Sequence, residues 1–436
     1  MKNNITLIII FILIFLMLYQ DLPLVNTFGE LARSPIVFVC PFLLLYLLSF
    51  KKTTISFNSL SLLVYTIVIF FISILYAIII YIKNDSLIVF NENIILKAIK
   101  MSMYPIIALI FYIFWYRFIN NNKRSDEILY KVFKLLQIFY LGYLFIESYY
   151  LKTQFILLQF LHSNPEKYYR IRLFTMEESW SGTIFILLAF FPIYLTQKLN
   201  KTPTEKIRIY ITSILLLVTY LFVSESKGFL FLIVISILPA IIYKLVTSSK
   251  YKIIKPFLFP VLIVGFIIVL VTFIKIVDNE LATSVTFGTR FTSIFSAIYV
   301  FIENPFGVGW TGMAYTYTTK ISKVIDSGLM SYFNLSEIKS YISTSKNLST
   351  KSYFLDSLIE GGLFFIIFFY TFFVRIYFRL VKQKQSLWLK LITLYFILAG
   401  IIFITYHIKY EIWFFFAYVE SCLNNNINEK KNIASL

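Results

Sequence analysis

Stretches of apolar residues long enough to approach the thickness of a bilayer recur along the chain, and nothing constrains its fold more. A helix crossing about 30 Å of hydrocarbon needs roughly 20 such residues. Twelve candidates lie near residues 5 to 22, 35 to 50, 59 to 82, 101 to 119, 128 to 149, 180 to 197, 208 to 224, 228 to 246, 256 to 275, 353 to 374, 387 to 406 and 410 to 422. The first, second and last are the shortest. With 59% hydrophobic and 14% charged residues, the chain has more apolar surface than a soluble core of 436 residues hides. No run alternates as an outer-membrane strand would, so the backbone must satisfy itself within helices. These observations predict an all-α polytopic membrane protein with about 12 transmembrane helices. After Met1 and Lys2, the first apolar run is followed by no small-residue cleavage site, so it reads as an uncleaved span.

A formal charge of +18 suggests nucleic acid only when it is concentrated on one soluble face. Here it alternates with the spans. With the N-terminus inside, 23 of the 40 Lys and Arg residues fall in inner loops, alongside Asp126, Glu127, Glu205 and Glu429 as the only acidic residues there. The outer loops and helix ends come out near neutral. This follows the positive-inside rule in every inner loop, placing both termini in the cytoplasm and excluding a nucleic-acid partner. Cys40 and Cys422 lie in apolar segments with no metal or redox spacing and read as inert thiols.

The whole chain, 1–436, reads as a single integral membrane domain. Two outer segments are long, 150 to 179 and 276 to 352, the second lying between helices 9 and 10. Within it, Phe291, Ile294, Phe295, Ile298 and Ile302 recur at helical spacing opposite Arg290, Thr292, Ser293, Ser296 and Ala297. That pattern predicts a helix lying in the outer interface with Arg290 at its start; a half-span packed in the core is the alternative. Asn304-Pro305-Phe306-Gly307 then stops the helix.

Four segments carry a resemblance: RIRLFTMEESWS (Arg170 to Ser181), SESKG (Ser224 to Gly228), GTRFTSIFSAIYVFIENPFGVGWTG (Gly288 to Gly312) and SYFLDSLIEGGLFF (Ser352 to Phe365). In this order and with this layout, the chain resembles the O-antigen polymerase and ligase superfamily, most of all the Wzy-type polymerases of O-antigen, capsule and exopolysaccharide assembly. The Arg-x10-Gly pattern of some loops in that family is absent.

The resemblance implies a glycosyltransferase on the outer face of the bacterial cytoplasmic membrane, working on undecaprenyl-diphosphate-linked oligosaccharide in contact with membrane lipid. It implies a flippase and a chain-length regulator as partners, and no cofactor. The sequence shows no DxD pair for a metal and no glycine-rich phosphate loop. An O-antigen ligase is the alternative within the family. Its members usually carry a histidine in the large outer loop, and residues 276 to 352 hold none. A transporter of lipid-linked sugars is the alternative outside it, for which interrupted helices or two similar halves are the expected sign.

Breaking a sugar–diphosphate bond calls for positive charge on the leaving diphosphate and a base for the acceptor hydroxyl. Arginine suits the first role because its fork donates two parallel hydrogen bonds. Arg290 is the candidate clamp, with Arg170, Arg172 and Lys227 as substrate-binding support. Arg33 is the fourth outer arginine. Glu178 and Glu177, adjacent before a span, are the candidate bases, since neighbouring carboxylates raise one another's pKa. Asp356 and Glu360 lie four apart on one face of a span, where carboxylates need a cavity or a partner, and are candidate substrate-binding residues. His162 and His407 read as satisfied interfacial histidines.

Overall fold

The computed structural model describes residues 2–50, 55–89, 92–152, 159–164, 171–224, 226, 228–236, 285–343 and 348–434. Thirteen helices organise the described residues: α1 (Lys2–Leu18), α2 (Ile36–Leu48), α3 (Phe57–Asn84), α4 (Ile94–Asn121), α5 (Ser125–Lys152), α6 (Glu178–Lys198), α7 (Pro203–Ser224), α8 (Val285–Glu303), α9 (Gly309–Asp326), α10 (Ser336–Ser343), α11 (Tyr353–Phe369, continued through a π-turn at Tyr370–Val374 and the helical stretch Arg375–Lys382), α12 (Leu387–Ile402) and α13 (Tyr410–Ala434). Short helices at Val25–Phe28 and Glu30–Arg33 join α1 to α2. A two-residue hairpin, β1 (Ile88–Val89) against β2 (Glu92–Asn93), joins α3 to α4.

Among the described residues, seven helices are long and apolar enough to cross a membrane, and α1, α2 and α12 hold shorter apolar stretches. The packing shows what solvent they face. Along α3 the buried stripe is Asn58, Ser59, Leu62, Thr66, Ile69, Ser73, Ala77 and Ile80, whereas Val64, Ile67, Phe71, Leu75 and Ile78 are exposed. Five of these eight inward residues are small or polar while the outward ones are large and apolar, the reverse of a soluble helix and the arrangement that lipid favours. The chain is an all-α polytopic membrane protein.

Local chemistry sets the helix ends. The Ser56 hydroxyl accepts from Ser59 N at the start of α3, and the Asn93 side chain accepts from Ile95 N and Leu96 N at the start of α4. Helix α6 is buried nearly all round among α5, α7, α12 and α13, as its uniformly apolar sequence requires. Of the expected spans at 228 to 246 and 256 to 275, only a helical stretch over 228–236 is described; the rest lies outside the described residues. Cys40 and Cys422 are free and buried.

Helix α8 differs from the interfacial reading of its sequence. It starts at Val285, and its small and polar residues, Gly288, Thr289, Thr292, Ser293, Ser296 and Ala297, are buried against the protein while Phe291, Ile294, Ile298 and Ile302 face out. It packs on α9 and α11, and the turn after it reaches the middle of α3, where Trp310 N donates to the Ser73 hydroxyl at 2.8 Å. Ser73 is roughly 24 Å from the start of α3 by helical rise. At the same level α11 breaks at Gly362 (φ 52°, ψ −130°). The two irregular segments satisfy each other: Val308 N donates to Ile359 O at 3.0 Å, and Leu363 N to Pro305 O at 2.8 Å. Non-helical backbone at this depth is tolerated only where protein covers it.

Candidate functional site

The helix ends sort onto two faces. On one, Lys409 Nζ donates to Trp180 O and Gln20 Oε1, Arg290 Nη1 donates to Ile402 O, and Tyr353 N donates to Ile404 O. This face therefore gathers the C-terminal ends of α1 and α12 and the N-terminal ends of α6, α11 and α13. On the other, Asn58 N donates to Glu420, Lys198 pairs with Asp126, and Arg379 donates to Asn424. The first face holds the dense polar chemistry.

Glu177 precedes α6 as its N-cap without capping it by its side chain, and Glu178 follows as the first residue of the helix. The half-buried Glu177 carboxylate is an electrostatic neighbour of both Arg290 and Lys409. Arg290, on the first turns of α8, also feels Glu337 and Tyr341 of α10. Glu337 is tied in turn to Lys351 at 2.9 Å, Thr289 at 2.9 Å and Tyr341 at 3.0 Å. Burial acts to raise the Glu337 carboxyl, but Lys351 and these hydrogen bonds outweigh it and hold the group below the ordinary glutamate range.

Beneath Glu177 lies a buried polar chain. Lys409 Nζ donates to Gln20 Oε1 at 2.6 Å and to Trp180 O at 2.7 Å, with the Trp180 ring 5.1 Å away. Gln20 Nε2 donates to Glu411 at 2.6 Å, and Thr183 to the other oxygen of Glu411 at 2.8 Å. Burial pushes the Lys409 ammonium below its ordinary range, with Glu411 and Glu177 opposing. Next along the chain, fully buried Asp21 meets His162 Nδ1 at 2.7 Å, Arg33 at 3.4 Å, Arg172 at 3.6 Å and the Ser163 hydroxyl. Arg33 also grips Glu30 with two hydrogen bonds, and Arg172 Nη2 donates to Asn164 O at 2.6 Å.

The structure thus brings Glu177 and Arg290 into one site and puts Arg172 in the buried network beside it. Arg170 and Lys227 lie outside the described residues. Asp356 and Glu360 divide: Asp356 accepts from Thr350 N and the Ser349 hydroxyl, both at 2.7 Å. Glu360 instead faces a cavity of about 30 Å³ shared with Trp310, Ser357 and His407. The His407 ring lies 5.1 Å from that of Tyr104, tilted by 43°, and burial pushes its imidazole down to about 4. His162 is engaged by Asp21 rather than set at an interface.

Sequence reasoning passed over Asp21, Lys409, Glu411, Glu337 and Lys351. A signal was there for the first three: Lys409 and Glu411 are charges confined between apolar runs, and Asp21 closes the first one. Chemically, two cations beside a carboxylate at a helix-end face can hold an anion while the carboxylate takes a proton.

No protein-family model matches the chain, and no solved structure matches it. It is 29% identical over 147 residues to an uncharacterized 49.5 kDa protein in the cps region of Klebsiella pneumoniae. The match spans about a third of either chain.

Proposed function

We propose that this chain is a polysaccharide polymerase that joins undecaprenyl-diphosphate-linked oligosaccharide units on the outer face of the bacterial cytoplasmic membrane, through twelve spans with both termini cytoplasmic. The observation that carries the reading is Glu177 set among Arg290 and Lys409 on the face whose loops lack the inner excess of positive charge. Similarity to a protein encoded in a capsule region supports the same process.

In the reaction, an acceptor sugar hydroxyl attacks the anomeric carbon of the donor. Its oxygen forms the new glycosidic bond as the bond from that carbon to the diphosphate oxygen breaks. The hydroxyl proton passes to Glu177, or to Glu178 beside it in the chain, and the lipid diphosphate leaves with the bonding pair. Arg290 holds the diphosphate as charge builds on it, and Lys409 adds positive potential from below. Arg170 and Lys227 are the cations we assign to the sugar and diphosphate groups, while buried Arg172 backs the site through Asp21 and Asn164. A strain lacking the gene should keep single lipid-linked repeat units and lose long chains. Polymer of normal length that no longer reaches its final acceptor would instead identify a ligase.

A second reading, transport of lipid-linked oligosaccharide, draws support from the paired helix breaks at Pro305 and Gly362, since transporters build substrate sites at such breaks. In that case the deleted strain would hold its repeat units on the cytoplasmic leaflet, sealed from an externally added glycosidase.

A further inference from the structure

Where the two broken helices cross, Glu360 stands at the last turn before the Gly361–Gly362 break, 3% exposed, and lines the small cavity. Tyr65, Trp310, Tyr353, Tyr406 and Trp413 are among the residues that line it. The Trp310 indole is a polar neighbour of Glu360. Among the described residues no Lys or Arg pairs with this carboxylate. The nearest ionisable neighbours do not supply the missing charge: Asp356, one turn earlier, is itself a carboxylate, and His407 across the cavity is neutral near pH 7.

A carboxylate this deep without a cation is costly. Aromatic faces around it attract positive charge through their quadrupoles, and an aromatic cage with an acidic residue is the chemistry that recognises ammonium groups. The cavity's volume of about 30 Å³ matches roughly one water-sized occupant, the size of a small cation. We propose that the cavity beside Glu360 is a binding site for one monovalent cation, an ammonium group or an alkali ion, held by the carboxylate inside the aromatic cage. Neither Glu177 nor Arg290 lines this cavity, and the proposal stands whether or not the chain makes polymer.

The test uses the full-length purified protein in lipid nanodiscs at constant pH and ionic strength. Ammonium, methylammonium, sodium or potassium chloride replaces N-methyl-D-glucamine chloride, whose cation is too large to enter. Tryptophan fluorescence, to which Trp310 and Trp413 contribute from the cavity wall, should change saturably with at least one small cation, and the melting temperature should rise with it. The ammonium and alkali arms tell the two sources apart. Glu360→Gln should abolish both responses, and Glu360→Asp, which draws the charge back by one methylene, should raise the half-saturating concentration about tenfold or more, a margin of roughly 1.4 kcal/mol. Should Glu360→Gln fail to fold, Glu360→Asp decides alone. The proposal is overturned by no saturable response to any small cation, by an unchanged response in the variant, or by a response that follows pH and not the cation.

Discussion

The backbone N–H of Leu363 donates to the carbonyl of Pro305 at 2.8 Å, locking the break in α11 onto the turn that ends α8. The contact needs glycine beside it. A Cβ on Gly362 would fall 2.2 Å from Pro305 O, and one on Gly307 2.3 Å from Glu360 O. Gly29 also has positive φ but nothing within 4 Å of its would-be Cβ. Gly29→Ala should therefore cost only backbone strain, about 1–3 kcal/mol, while Gly362→Ala adds a backbone collision and should leave little monodisperse protein after detergent extraction. Equal yields and melting temperatures for the two variants would contradict the crossing.

Arg290→Ala should lower polymer formation on the order of a hundredfold or more, the usual effect of removing a transition-state donor. Arg290→Lys keeps charge without the fork and should retain part of the activity. Glu177→Gln, which cannot accept a proton, should impair chain growth at normal membrane abundance. Polymer yield per unit of membrane protein is the measurement, and wild-type polymer from well-expressed Arg290→Ala would remove the clamp.

Lys409 and Glu411 are both fully buried, 3.8 Å apart. Removing one member of such a pair leaves the other uncompensated, so Lys409→Met should destabilise by about 3–5 kcal/mol. The double variant Lys409→Met/Glu411→Gln should recover part of that loss. Melting curves of the three proteins in one detergent decide it, since a double variant less stable than Lys409→Met would mean that the two side chains do not act as a pair.

His407 is buried and neutral, its imidazole held at about 4 against an ordinary 6.5. Below pH 6.5 the unfolded chain binds a proton that the folded one refuses, so the contribution is full above 6.5 and fades as pH falls toward 4. The whole effect is worth about 3 kcal/mol. His407→Gln should flatten this part of the stability profile between pH 7 and pH 4.5. An unchanged slope in thermal melts would place the acid sensitivity elsewhere.

Orientation is open to a direct labelling test. Single cysteines at Ser327 and Ser345 should react with an impermeant thiol reagent in intact cells, and one at Ser249 should not. Reaction at Ser249 alone reverses the topology.

The membrane class was legible in the sequence because transfer of apolar side chains into lipid is a local property, summed residue by residue along each run. The clustering of basic residues in alternate loops was equally local. The nomination of Arg290 and Glu177 was local too, resting on the scarcity of arginines in the segments expected outside and on adjacent carboxylates before a span; the structure makes the two electrostatic neighbours. Depth was not legible: the stripe from Phe291 to Ile302 suits a helix lying on the bilayer as well as one whose apolar face meets lipid from within it. Only the packing of Gly288, Ser293 and Ala297 against neighbouring helices, and the meeting of Trp310 with Ser73, decided between them. The buried network was hidden for a different reason. Gln20 and Glu411 are 391 residues apart in the chain, and no helical period or residue spacing relates them. Burial of charge at Asp21, Lys409 and Glu411 becomes tolerable only when the tertiary fold brings each a partner, which is why the sequence determined the solvent these helices face and the fold alone decided which polar groups meet.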